Sequence, residues 1–303
     1  MAIEPRFSVV VPVFRSRDSI VELVDRIEAT FERIDKGDVE IILVDDHSPD
    51  DTLEVIETEL SGRGNVLLIE LGRNFGQSNA VMCGFSKCRG ELIFTIDDDL
   101  QNPPEVLEDL LENLGDNDVV YGIPKKKKQA KFRNLGSKMI NFYFRKLFAV
   151  GHSRSSLLLV RKEIVEKLAN HRENFVFIDG LIQWYTNRTI AIEVPHEPRK
   201  YGKGGFSIRR LVRASFNLFT NFSVAPLQFA TIIGALIAFC GFAMGANTAY
   251  RALTMDIVVP GWASLFIAVM FLSGIQLLFL GLLGEYLGRL HINNNKMPQF
   301  YIR

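Results

Sequence analysis

The sequence predicts an α/β domain with a mostly parallel sheet, followed by an interfacial helix and a hairpin of two transmembrane helices. Through about residue 120, short apolar runs alternate with helical periodicity, as in sheets whose two faces are covered by helices. Residues 214–250 and 257–284 contain no charged side chain, and a helix of about 20 apolar residues crosses a bilayer. The 35 basic and 35 acidic residues give a formal net charge of zero, which disfavours a general nucleic-acid-binding protein.

Strands and helices are predicted to alternate in the first part of the chain. Continuous apolar runs rich in branched residues predict five buried strands, at 7–14, 39–44, 65–71, 91–96 and 118–122. Helical spacing predicts helices at 19–34 and 75–87. Two further helices are expected to start at Ser48 and Asn102, because each residue precedes proline and acidic residues in the first turn.

The apolar segments predict two membrane spans at 227–249 and 263–283, joined by the short connection 251–262. A pair of buried core helices is the alternative for such segments. Arg251 is the only lysine or arginine in the connection, whereas such residues occur both before the first span and after the second. The positive-inside rule therefore predicts both ends of the chain in the cytoplasm. The expected location is the inner (cytoplasmic) membrane.

The predicted boundaries follow from this division. Residues 1–205 are expected to form a cytoplasmic α/β domain, 206–223 an amphipathic interfacial helix, 224–288 the two spans, and 289–303 a cytoplasmic tail. Arg209, Arg210 and Arg213 lie on one side of the interfacial segment, which suits contact with a lipid bilayer.

Acidic residues follow two of the predicted strands. Asp45 and Asp46 come after the second strand, and Asp97, Asp98 and Asp99 come after the fourth. Carboxyl ends of parallel strands share one edge of the sheet, where so many carboxylates repel one another unless a cation lies among them. Mg²⁺ or Mn²⁺ is the expected cation, because both prefer oxygen ligands.

The metal ligands are predicted from alternation along the chain. Asp97, Asp99 and Gln101 point to one side if the fourth strand continues through them, and Asp98 then faces away. A solvated loop is the alternative for an isolated acidic run. Neither of the patterns GxxxxGK[ST] and GxGxxG occurs, which argues against a P-loop NTPase and a dinucleotide-binding dehydrogenase.

Several motifs in this order resemble those of glycosyltransferase family 2. The resemblance is closest to the polyprenyl-phosphate glycosyltransferases, a group that includes dolichyl-phosphate mannose synthase, bactoprenol glucosyltransferases and undecaprenyl-phosphate aminoarabinose transferase. The motifs are Val10-Val11-Pro12-Val13-Phe14, Leu43-Val44-Asp45-Asp46-His47-Ser48, Arg73-Asn74-Phe75-Gly76-Gln77, 97–103, 199–203 and 281–289. The family commonly has glycine at the position of His47.

The resemblance implies a GT-A fold and inverting transfer from a nucleotide-sugar of UDP or GDP type to a polyprenyl phosphate such as undecaprenyl phosphate. The lipid-linked sugar would serve modification of cell-envelope glycans, and the enzyme would be a homo-oligomer. The metal would be held by Asp97, Asp99 and Gln101. The donor and phosphate contacts implied are Pro12, Val13, Phe14, Asp45, Asp46, Gly76, Asp97, Asp98, Arg133, Ser137, Arg199 and Lys203.

Three residues are predicted to be catalytic: Asp99, Arg133 and Asp179. Asp179 would orient the attacking phosphate, and the alternative is an acid that caps a helix or pairs with arginine. Two other functions stay open. One is a processive polysaccharide synthase, which usually has more spans and a Gln-x-x-Arg-Trp motif, whereas Gln183 and Trp184 are adjacent here. The other is a membrane scaffold that binds a nucleotide-sugar without turnover.

Overall fold

A computed structural model describes residues 5–35, 38–125, 155–171, 176–198, 200, 225–254, 261–294 and 298–303. The chain divides into two compact units, one of Met1–Gly205 with Lys296–Arg303 and one of Phe206–Asn295. The predicted interfacial helix at 206–223 lies outside the described residues.

The first unit contains a seven-stranded sheet in its described part, with the strand order β3-β2-β1-β4-β6-β5-β7. Strands β1, β2, β3 and β4 are mutually parallel, β7 is parallel to β5, and β6 runs antiparallel to both β4 and β5. The α/β class and the mostly parallel sheet are as predicted. The strands are β1 Phe7–Val13, β2 Val39–Asp45, β3 Val66–Glu70, β4 Leu92–Thr95, β5 Val119–Pro124, β6 Leu158–Arg161 and β7 Thr189–Val194.

Helices connect most of these strands. The helices in the described part of the first unit are α1 Ile20–Asp35, α2 Thr52–Glu59, α3 Gln77–Phe85, α4 Val106–Glu112, α5 Lys162–Ala169 and α6 Ile178–Tyr185. Every residue of β1 and β2 is buried, as expected for central strands covered on both faces. On one face, the rings of Phe7, Phe31 and Phe94 form a cluster with centroids 5.1 to 6.1 Å apart. Helix α3 lies so close to β1 that a Cβ at Gly84 would be 2.3 Å from Val10 Cγ1.

Two helices begin later than the sequence predicts. Ser48 does not cap α2, which begins at Thr52; instead its hydroxyl and amide donate to Asp45 at 2.5 and 3.0 Å. Asn102 does not cap α4, which begins at Val106; its Oδ1 lies 3.2 Å from His196 Nδ1. In both cases the side chain that could cap a helix is engaged by a neighbouring segment, so local capping preference is overridden.

Where the structure describes the second unit, it consists of two long helices, α7 Ala225–Thr254 and α8 Trp262–Asn294. In the described part of the chain, Phe271–Gly288 is the one helical stretch long and apolar enough to cross a membrane, and none of it is buried. Ala230–Gly241 is a shorter apolar stretch of α7. The helices approach at Gly234, where a Cβ would lie 4.0 Å from Phe279 Cε2.

Glu40 is a buried carboxylate on β2 that joins three segments. It accepts hydrogen bonds from the Ser8 hydroxyl at 2.6 Å and from the Arg89 amide and Nε at 2.6 and 2.7 Å. We expect Glu40→Ala to lower the free energy of unfolding by about 3 kcal/mol, because buried donors lose their acceptor. Denaturant unfolding in detergent measures the change, with the exposed Glu57→Ala as a control. Equal midpoints for the two variants would contradict the assignment.

Asp118, next to β5, forms an ion pair that depends on pH. Arg188 donates to both of its carboxylate oxygens at 2.7 and 3.2 Å, and Thr186 Oγ1 donates at 2.5 Å. The Arg188 and Thr186 hydrogen bonds hold the pKa of Asp118 below its usual value, although burial opposes them. The stabilisation is therefore complete above the ordinary carboxyl pKa and is lost as the pH falls through the lowered one.

We accordingly expect Asp118→Asn to lower Tm at pH 7 and to have a diminishing effect below about pH 4. Thermal unfolding of parent and variant across this pH range measures the difference. A difference in Tm that stayed constant through acid pH would show that the charge of Asp118 contributes nothing.

Candidate active site

The predicted site lies where the strand order reverses. β2 and β3 lie on one side of β1, and β4 lies on its other side. Sheets of this kind bind ligands in the crevice at such a reversal, here between the carboxyl ends of β1 and β4. Pro12 and Val13 are buried near the end of β1, whereas Phe14 is 42% exposed immediately after it. Asp45 ends β2, and the 97–101 loop follows β4.

Asp46 holds the loop that precedes α3. Its two carboxylate oxygens accept hydrogen bonds from the Phe75 amide at 2.6 Å and the Gly76 amide at 2.8 Å. The Asn74 side chain donates to the Asp46 carbonyl at 3.2 Å. Gly76 has φ +89°, a conformation that side chains rarely adopt, so glycine is needed at this start of α3. Burial raises the pKa of Asp46, while the two amide bonds lower it.

Asp98 connects the acidic loop to the segment after β1. Its carboxylate accepts from the Phe14 amide at 2.8 Å and from the Ser16 hydroxyl. Although Asp98 is only half-buried as a residue, burial of its carboxylate raises its pKa against the effect of these bonds. These two bonds fix the acidic loop against the segment after β1.

Asp97 and Asp99 lie in the loop itself and are both half-buried. Asp97 accepts from Gln77 Nε2 at 2.5 Å and from the Ser156 hydroxyl. Asp99 Oδ1 accepts from the Gln101 amide at 3.1 Å. The premise that β4 continues through these residues is wrong: the strand ends at Thr95, and Leu100 adopts φ +56°.

The predicted ligands Asp97, Asp99 and Gln101 have the oxygen donors that suit a cation of the magnesium type. No three His, Cys, Asp or Glu side chains are grouped closely enough to share a metal ion among the residues the structure describes. Such ions in phosphate-binding enzymes usually use one or two carboxylates and complete their shell with water and phosphate oxygens. Two carboxylates and one amide on a short loop agree with that donor set.

Strained backbone marks the same edge of the sheet. Arg15, His47 and Leu100 have φ values of 59°, 57° and 56°, and they follow β1, β2 and β4 respectively. Left-handed conformations cost non-glycine residues about 1–2 kcal/mol and cluster at functional sites. The glycine common in the family at the position of His47 fits this backbone without that cost. The Arg15 amide donates to Ser48 Oγ at 3.1 Å, which joins the two loops.

The segment after β7 is attached to the acidic loop. The Glu197 amide donates to the Gln101 carbonyl at 2.8 Å, and Gln101 Nε2 lies 3.4 Å from the Glu197 carbonyl oxygen. Lys200 Nζ forms an ion pair with Glu22 of α1 at 2.7 Å. These contacts place Glu197 beside the predicted metal loop and Lys200 beside α1.

The remaining predicted residues stand apart from this description. Arg133, Ser137, Arg199 and Lys203 lie outside the described residues. Asp179 is buried in the first turn of α6. The pKa of Tyr121 on β5 is raised mainly by burial of the Tyr121 hydroxyl and also by the negative charge of Asp179.

Sequence reasoning missed Ser16 and Ser156 as hydroxyl donors to the acidic loop, and Gln77 as an amide donor to it. Gln77 stands in a motif that the family resemblance singled out, which is a usable signal. Ser156 lies two residues before the short antiparallel strand β6 and is 59 positions from Asp97 in the sequence.

Comparison with known proteins decides the family. Residues 8–171 match the glycosyl transferase family 2. The chain belongs to glycosyl transferase family 2. An undecaprenyl-phosphate 4-deoxy-4-formamido-L-arabinose transferase of Klebsiella pneumoniae strain 342 is 34% identical over 98% of this chain and 93% of its own length. The enzyme of that name from Sodalis glossinidius is 33% identical over the same shares.

A solved structure shares the fold of this chain. The glucosyl-3-phosphoglycerate synthase of Mycobacterium tuberculosis, in complex with Mn²⁺, UDP and phosphoglyceric acid, matches with a TM-score of 0.52. It is 15% identical, and the match covers 71% of this chain and 76% of that one. The glycosyltransferase described here therefore has an α/β, GT-A-like fold.

Proposed function

We propose that this glycosyltransferase moves a sugar from a nucleotide-sugar to undecaprenyl phosphate. The observation that carries the proposal is the acidic loop after β4 at the strand-order reversal, in a chain that matches undecaprenyl-phosphate sugar transferases over 98% of its length. The donor pocket would be formed by the ends of β1 and β2 with the 73–76 loop.

The acidic loop would hold the donor diphosphate through a divalent ion. Asp97, Asp99 and Gln101 are the proposed ligands, and the ion supplies positive charge where the departing diphosphate gains negative charge. Gln77 and Ser156 orient Asp97, while Asp98 fixes the loop against Phe14 and Ser16. The loop geometry is thereby set before the donor binds, which is the condition for strong electrostatic stabilisation.

The acceptor phosphate needs no strong general base. Its second pKa of about 6 leaves it nearly doubly ionised at neutral pH. It needs cations that offset repulsion from the donor, for which Arg133, Arg199 and Lys203 are the proposed residues. Direct attack by this phosphate on the anomeric carbon inverts the sugar configuration, and Asp179 is proposed to orient the attacking oxygen.

Anchoring in the cytoplasmic membrane is part of the proposal. Phe271–Gly288 of α8 supports one span, and the uncharged apolar length of α7 supports a second in a hairpin. The lysine and arginine distribution favours both ends of the chain, and thus the donor pocket, on the cytoplasmic side. We propose a cytoplasmic catalytic domain at 1–205, an interfacial helix at 206–223, the two spans within 224–288 and a cytoplasmic tail at 289–303. The protein is proposed to be a homo-oligomer.

Transfer by the purified full-length protein tests the function. The protein in detergent is incubated with undecaprenyl phosphate and a panel of labelled UDP- and GDP-sugars, and the organic phase is counted. We expect one labelled lipid, whose formation stops when EDTA is added and resumes with excess Mg²⁺ or Mn²⁺. A growing polymer would instead indicate a processive synthase, and donor binding without any product a scaffold.

A further inference from the structure

Residues 298–303, which we call the edge segment, extend the sheet beside β3. Leu71 and Ile302 form an antiparallel bridge just beyond the end of β3. The Gly72 amide donates to the Tyr301 carbonyl at 2.9 Å, and the Arg303 amide donates to the Glu70 carbonyl at 3.0 Å. β3 stands at one end of the strand order, so the edge segment pairs backbone groups that would otherwise face solvent.

Side chains of the edge segment add contacts to this main-chain pairing. Arg303 Nη1 lies 2.9 Å from Glu70 Oε1, and Gln299 is only 9% exposed. The Tyr301 ring lies against Gly72, where a Cβ would be 2.8 Å from Cδ1. The contact thus combines main-chain pairing with a close approach that a glycine makes possible.

The edge segment lies next to the start of the 73–76 loop, whose amides bind the Asp46 carboxylate. Leu71, which pairs with Ile302 of the edge segment, also donates its amide to the Asp45 carbonyl of β2 at 2.9 Å. Gly72 then leads directly into the 73–76 loop, whose Phe75 and Gly76 amides bind the Asp46 carboxylate. The start of this loop is consequently held between β2 and the edge segment.

We propose that the edge segment is a positioning element of the donor pocket. It holds Leu71 and Gly72 so that the 73–76 loop keeps its amides on Asp46 before a nucleoside diphosphate arrives. A loop ordered in advance spares the ligand the entropy of ordering it, so nucleotide affinity is higher. The nature of the ligand rests on the proposed function; the ordering of the loop does not.

Deletion of residues 298–303 from the full chain tests the proposal. We expect the affinity for UDP or GDP, measured calorimetrically with Mg²⁺, to fall by about tenfold, because the loop must then be ordered on binding. The KM for the nucleotide-sugar rises to a similar extent, whereas the KM for undecaprenyl phosphate stays within about twofold. A merely structural loss would change both KM values.

Two substitutions at one position separate main-chain pairing from the ion pair. Arg303→Pro removes both the paired amide and the guanidinium, whereas Arg303→Ala removes only the guanidinium. We expect the proline variant to weaken nucleotide binding several-fold more than the alanine variant, since exposed ion pairs contribute little. Equal effects would overturn the role of edge pairing, and these variants remain informative if the deletion fails to fold.

Hydrogen exchange distinguishes this proposal from the proposed function. The Phe75 and Gly76 amides should exchange faster in the deletion and in Arg303→Pro, with or without nucleotide. If the parent binds neither UDP nor GDP while this exchange still accelerates, the donor assignment fails and the loop-positioning role stands. Unchanged exchange together with unchanged nucleotide affinity would overturn the inference.

Discussion

Replacing Asp99 by asparagine should lower kcat for sugar transfer by about 1,000-fold, the loss typical when a preorganised electrostatic group is removed from a transition state. Asparagine retains an oxygen that can accept the Gln101 amide, now 3.1 Å from Asp99 Oδ1, so the loop should keep its shape. What disappears is one of two negative charges facing the proposed cation. Radiolabel transfer at saturating donor and acceptor measures the effect.

The same variant should respond differently to metal. With one carboxylate fewer, half-maximal activity should require about tenfold more Mg²⁺ or Mn²⁺. Glu112→Gln at the exposed end of α4 removes an equal charge and serves as the matched control. Transfer by Asp99→Asn at the parental rate, with a parental metal titration, would exclude Asp99 as a ligand.

Long-range pairing limited what the sequence could predict about the fold. β1 and β2 are continuous apolar runs, and their bounds were predicted to within one residue because burial on both faces leaves a clear pattern. β6 has only four residues, Leu158–Arg161, and its antiparallel insertion between β4 and β5 depends on partners far along the chain. No local period announces such a strand.

The acidic residues follow β2 and β4, as the sequence predicts, but the geometry of the loop after β4 was not derivable from alternation. The left-handed turn at Leu100 changes the direction of the loop, so side-chain alternation gives no orientation for Gln101. The support of Asp97 by Gln77 and Ser156 joins residues 20 and 59 positions away. Such contacts follow from the assembled sheet, which the sequence predicts only in class.

Replacing Asp46 by asparagine should raise the KM for the nucleotide-sugar by about 10- to 100-fold with little change in kcat, because an unpaired buried N–H costs about 1–3 kcal/mol. The two oxygens of Asp46 accept one amide each, from Phe75 at 2.6 Å and from Gly76 at 2.8 Å. Asparagine has one acceptor oxygen, so one amide faces an NH₂ group and the 73–76 loop must shift.

The rise in KM should be confined to the donor. Asp46, just after β2, binds the 73–76 loop before α3 and does not bind the acidic loop after β4. Asp50→Asn, four residues further along the chain, is the matched control. The Asp50 side chain accepts a hydrogen bond from Thr52 Oγ1 at 2.6 Å, and the one oxygen of asparagine can still accept it. Initial rates over a donor series at fixed undecaprenyl phosphate, and the reverse series, separate the two KM values. An equal rise in both would mean that Asp46 supports the domain as a whole, whereas a rise for the donor alone locates the nucleoside against the Asp46-bound loop.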